Sequence, residues 1–230
     1  MKQKILSHRH FTINENSSEI NITTLGDDIY TGTMSEDLKV YAINLRSAIN
    51  EVMPFKIRRF KLSISIIPDG YRSSKTSMRV FYGNDLSAKF EVRATSDAET
   101  STRLAIRDVA HELIHAILAM HGVQNKNPGV DGTSLEEIAA YTLENCIELR
   151  VIGTTSGDPL ASQSERLSTT GSTASPIITS LNSGVRVNAT LAALFADGTP
   201  TISKDDPRAA TLDAICQDAI NRAIQSASHR

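Results

Sequence analysis

A chain of 230 residues, 40% apolar and 22% charged, can bury a sizeable core and has ordinary globular composition. Its net charge of −2, without an extended basic run, gives no sign of an electrostatic nucleic-acid or membrane partner. No apolar run approaches the ~20 residues of a membrane span. The start, Met1 to His10, carries charge but no apolar h-region, which predicts no signal peptide and favours the cytoplasm. A secreted protein expressed without its leader fits the same start.

Residues 11–24 alternate weakly and are rich in Asn, Ser and Thr, which predicts one or two short strands. Asn16, Asn21 and Asn188 stand in N-x-Ser/Thr triplets, which are frequent by chance. A helix is expected from about Ser35 to Met53, with Thr33-x-x-Glu36 as its capping box and Pro54 as its stop. Leu38, Tyr41, Ala42, Leu45, Ile49 and Val52 keep helical spacing along one apolar face, as a packing helix does. Alternation over residues 59–67 predicts a strand, turned by Pro68-Asp69-Gly70. Arg79–Tyr82 and Lys89–Arg93, joined by Gly83-Asn84-Asp85, carry a hairpin signal. Together these predict an α+β fold, with a small, mainly antiparallel sheet of three to five strands packed on the first helix.

A second helix is expected over about Thr100–His121, with Gly122 just past its end. Inside it lies His111-Glu112-Leu113-Ile114-His115. At 3.6 residues per turn the two histidines sit one above the other, so both imidazoles can grip one ion from the same side. Glu112 lies beside them, placed to reach a water rather than the metal. The plain alternative is an amphipathic helix with two satisfied core histidines. Val109, Ala110, Leu113, Ile114, Ile117 and Leu118 weigh against it, because histidines in so apolar a helix are costly without a partner. Asp108 lies one turn before His111 and serves either as an acceptor that orients an imidazole or as a solvated carboxylate.

Residues 122–134 are turn-rich, and a third helix is expected from about Leu135 to Val151. Residues 153–184 are dominated by Ser, Thr and Gly and read as a loop or linker. Helices are expected again near Ala189–Ala196 and from Pro207 to about Ser226, the latter with an apolar face that packs on the core or on a partner. Cys146 and Cys216 each fall on an apolar helical stripe. Buried free thiols are the preferred reading, and one disulfide between those helices is the alternative.

The motif His111-Glu112-x-x-His115 on a buried helix, followed by a helix opening Leu135-Glu136-Glu137-Ile138-Ala139-Ala140-Tyr141, resembles the zincin metallopeptidases over about residues 100–150. It is most similar to their gluzincin branch, in which a glutamate on the next helix is the third ligand. The resemblance implies a zincin-like core over 1–152, a Ser/Thr-rich segment at 153–184 and C-terminal helices over 185–230. It implies Zn2+ held by His111, His115 and Glu137, and a protein or peptide substrate hydrolysed through a metal-activated water with Glu112 as general base. It also implies that a sheet edge binds the substrate backbone, and the strand around Ser87–Ala94 is the candidate neighbour of that cleft.

For the third ligand, His121 has the spacing of another zincin branch. Leu118 stands where that branch has a glycine, so uninterrupted helix would carry His121 roughly 9 Å from His115. Glu136 completes a capping box with Thr133, and it shares a stripe with Ala140, Leu143 and Ile147 that also lets it face inward. Glu137, followed by Ala140 and Tyr141, fits the family pattern better and is the choice, although Ser134 gives it a capping box too. Tyr141 departs from the acidic residue that many gluzincins carry, and Tyr141 and His121 are weak candidates for stabilising an oxyanion. A catalytically silent zincin-fold interaction protein is the alternative function. A deformylase pairs H-E-x-x-H with an upstream cysteine, and here no cysteine precedes Cys146.

Overall fold

The computed structural model describes residues 8–15, 18–25, 29–68, 85–94, 97–123, 135–155, 191, 194–195 and 201–228. The chain divides into two compact units, 1–113 and 114–230, and the division falls within the second helix.

The first unit is built on a four-stranded sheet of β1 (His8–Glu15), β2 (Ser18–Leu25), β3 (Arg59–Pro68) and β4 (Asp85–Ala94), in that spatial order. Helix α1 (Ile29–Val52) joins β2 to β3, and α2 (Ala98–Met120) follows β4. β1 and β2 form an antiparallel hairpin whose last pair is Glu15 with Ser18. β2 runs parallel to β3, and β3 parallel to β4. This corrects the expectation of a mainly antiparallel sheet. The physical reason is the crossover. A 24-residue helix between β2 and β3 carries the chain back to the end where β2 began, so the next strand lies parallel. The 69–84 connection likewise returns β4 parallel to β3, not as half of a hairpin. The expected strand at Arg79–Tyr82 lies outside the described residues.

Alternation, interrupted only where Ile66 and Ile67 are both buried, decides which face is buried. Ile20 and Ile22, Phe60, Leu62, Ile64 and Ile66, and Leu86, Ala88, Phe90 and Val92 are all buried. Each large apolar side chain withdrawn from water this way contributes about 1.5–3 kcal/mol. α1 packs on β2, β3 and β4 through Met34, Leu38, Ala42, Leu45, Ile49 and Val52. It begins at Ile29 rather than near Ser35, because buried Thr31 and Met34 extend the stripe upstream and leave Thr33 inside the helix. Asn50 secures the exit from α1. Its amide donates to the Ile57 carbonyl at 3.1 Å and accepts from the Ile57 N–H at 2.7 Å. On the opposite sheet face Lys61 pairs with Glu19 at 2.7 Å, and the hydroxyls of Thr23 and Ser65 meet at 3.1 Å.

In the second unit α3 (Leu135–Ile152) packs against α4 (Arg208–Ser228) and against a short ribbon. That ribbon is β5 (Thr154–Thr155) paired antiparallel with β6 (Ile202–Ser203). From Ile138 to Val151 α3 is buried on nearly every side, Tyr141 and Arg150 excepted. Its interior polar groups find local acceptors: Thr142 donates to the Ile138 carbonyl at 2.6 Å and Asn145 to that of Tyr141 at 2.8 Å. A disulfide joins Cys146 of α3 to Cys216 of α4, which corrects the preference for free thiols. The two stripes that each suggested a buried thiol face one another. Arg150 adds an ion pair to Asp213 at 2.9 Å. Most of the 153–184 and 189–196 segments lies outside the described residues. Among the described residues, no helix is long and apolar enough to cross a membrane.

Candidate metal centre

Helix α2 has defined ends. Asp97 caps its start, accepting from the Thr100 N–H at 3.2 Å, and the hydrogen bonds from Thr100 hold the Asp97 carboxyl below its usual range. At the other end Gly122 takes a φ of 76°, and the Val123 N–H reaches back to the Leu118 carbonyl at 2.8 Å. The Gly122 N–H reaches the Ala119 carbonyl at 3.1 Å, which completes a Schellman closure with Val123 and Leu118 both buried. His121 and Gly122 are exposed at that closure. Leu118 lets the helix run on to that point, and His121 is not part of the ligand cluster described next.

Between those ends Val109, Ala110, Leu113, Ile114, Ile117 and Leu118 are buried. A half-exposed line remains through Asp108, Glu112 and His115. His111 lies on the edge of that line and is 6% exposed. One metal-ligating atom from each of His111, His115 and Glu137 falls within 4.8 Å of the other two. Among the described residues this is the one such grouping of His, Cys, Asp or Glu.

The two glutamates that open α3 take different positions on the His115 ring. Glu136 Oε1 lies 2.9 Å from Nδ1, whereas Glu137 Oε1 lies 3.5 Å from Nε2. With Nδ1 engaged by Glu136, Nε2 is the nitrogen turned toward Glu137. Burial works against a charged imidazole here, but the hydrogen bonds and charges of Glu136 and Glu137 outweigh it and push His115 up to about 10. His115 is thus favoured in its charged form between two carboxylates, and a cation bound there would have to displace its proton.

The donor set fits zinc. Two imidazole nitrogens and one carboxylate are the ligands of a hydrolytic site that keeps a fourth position open. Bonds of 2.0–2.1 Å in a tetrahedron set ligand atoms roughly 3.4 Å apart. The His115–Glu137 separation of 3.5 Å already matches that spacing. Glu112 follows His111 directly and stays partly open to solvent. Asp108 is half-buried one turn earlier, and Tyr141 is half-buried on α3 one turn after Glu137. The role of Glu136 on Nδ1 is the feature that sequence reasoning missed. Its capping-box spacing and inward stripe point to the helix start and to ligation, although a carboxylate next to Glu137 is a signal in itself.

No family model matches this chain, and neither a curated protein nor a solved structure matches it.

Proposed function

We propose that the protein is a zinc-dependent metallopeptidase of gluzincin type. The observation that carries this reading is that one ligating atom from each of His111, His115 and Glu137 lies within 4.8 Å of the other two, with Glu136 on the far nitrogen of His115. Zinc bound there supplies a Lewis acid that polarises a peptide carbonyl and lowers the pKa of water from 15.7 toward about 7. The chain's own groups do the rest. His115 presents Nε2 because Glu136 holds its other nitrogen. Glu112, beside the ligands but outside the cluster, takes the proton of the attacking water and returns it to the leaving amine. The half-exposed face of α2 leaves that carboxylate in reach of a substrate from solvent.

The test is metal analysis together with cleavage of a peptide library by wild type and Glu112→Gln. Zinc in both and cleavage by wild type alone is the expected result. A protein that takes up no zinc, or a Glu112→Gln variant that cleaves like wild type, overturns the reading. Zinc in both with cleavage by neither selects a catalytically silent zincin-fold interaction protein.

A further inference from the structure

The proposed chemistry leaves one covalent feature unused, the bond between Cys146 and Cys216. α3 presents Glu136 and Glu137 in its first turn. Cys146 lies on the same helix, about 14 Å further along the axis at 1.5 Å per residue. What holds α3 in place there therefore sets where its carboxylates arrive. Of the described elements, α4 makes the most extensive contact with α3. α4 buries Leu212, Ile215, Ala219, Ile220 and Ala223, and its Asp213 pairs with Arg150 of α3. The two sulfurs join the helices, Cys146 fully buried and Cys216 1% exposed. The Cys216 sulfur is 3.4 Å from the Thr142 carbonyl oxygen and the Cys146 sulfur 3.5 Å from that of Leu212.

We propose that the Cys146–Cys216 disulfide is a redox latch on the metal centre. Closed, it fixes α3 where Glu137 and Glu136 meet His115. Opened, it removes the covalent tie and leaves α3 held only by its non-covalent contacts, which loosens the placement of its carboxylates and weakens metal binding. The inference rests on the metal-centre reading above. The opening reaction needs a dithiol reductant. One of its thiolates attacks a protein sulfur and forms a mixed disulfide. Its second thiol then resolves that bond, and the reductant leaves as its own disulfide. Two electrons and two protons pass to Cys146 and Cys216, which become thiols. Because both sulfurs are buried, exchange waits for α4 to lift, so opening is slow. A closed latch belongs to an oxidising compartment, and in a reducing cytosol it stands open. The cytoplasmic expectation therefore corresponds to the weak-binding form.

The full chain tests this. Zinc affinity is measured by chelator competition for the oxidised protein, for the protein reduced and then freed of reductant anaerobically, and for Cys146→Ala/Cys216→Ala. We expect the reduced protein and the double variant to bind zinc about tenfold or more weakly, the scale on which misplaced supporting groups act. Reoxidation restores affinity in wild type only. Equal affinity in all three overturns the latch and leaves the metal centre standing. Absence of zinc binding in every form overturns both. Reciprocity supplies a readout that does not depend on how the variant folds, since zinc must stabilise the disulfide by the same factor. Tenfold coupling lowers its reduction midpoint by about 30 mV when zinc is present. An unchanged midpoint, or two free thiols in the oxidised protein, overturns the proposal.

Discussion

His115 and Glu136 are joined at 2.9 Å through Nδ1, while the other nitrogen of the same ring faces Glu137 at 3.5 Å. Adjacent glutamates thus take different positions on one imidazole. Glu137 stands on the side where a cation would bind, and Glu136 fixes the ring. Substitution should separate the two. On the proposed zinc reading, Glu137→Ala removes a ligand and should abolish stoichiometric zinc binding. Glu136→Ala frees the ring and should weaken zinc binding by about 10–100-fold. Glu136→Gln keeps a carbonyl oxygen that still accepts from Nδ1–H and should retain most of the affinity. Chelator competition measures all three. Near-equal losses in Glu136→Ala and Glu137→Ala would show that the glutamates share one role.

The same pair makes the stability of the zinc-free protein depend on pH. Burial opposes the charge on His115, but Glu136 and Glu137 raise it from 6.5 to about 10. A raised folded-state value means that the folded chain holds the proton more tightly than the unfolded chain. The stabilisation is fully present below about pH 6.5 and is lost as pH rises through about 10. Urea denaturation of zinc-stripped protein between those limits should show wild type losing stability relative to His115→Gln. Parallel curves for the two proteins would remove this imidazole from the account.

Legibility in the sequence followed the range of the forces involved. Helices α2 and α3 were readable to within two residues, because their signals are local: an apolar period, a glycine after the last turn and a capping residue before the first. The placing of His111 and His115 together was readable for the same reason. The sense of the sheet was not. Alternation in β3 and β4 reports which face is buried but carries no information on direction, and Gly83-Asn84-Asp85 suggested a hairpin beside a strand that pairs elsewhere. A strand–helix–strand order across Ser18–Pro68 was the clue to a parallel crossover. The bond between Cys146 and Cys216 depends on two cysteines 70 residues apart, on different helices, coming together, which no local pattern records.

Gly122 offers a test of the helix closure alone. Its φ of 76° is a left-handed conformation, and a Cβ built there meets nothing within 4 Å. The cost of Gly122→Ala is therefore conformational, about 1–2 kcal/mol. Chemical denaturation should register that loss while zinc affinity stays near wild type, since His121 and Gly122 lie outside the cluster. A large fall in zinc affinity would mean that the end of α2 positions the ligands.

Thr155 ties the β5–β6 ribbon to α3 through a buried carboxylate. Its hydroxyl donates to Glu148 Oε2 at 2.6 Å, and both residues are within 1% of complete burial. A carboxylate out of water depends on every donor it has, and removing one leaves an acceptor without compensation. Thr155→Val keeps the shape and deletes the hydroxyl, so it should cost about 1–3 kcal/mol. Thr155→Ser keeps the donor, gives up a methyl group and should cost about 1 kcal/mol through the cavity it leaves. Urea titration of both variants orders them. If valine proves no worse than serine, the hydroxyl is dispensable and packing at this position carries the energy.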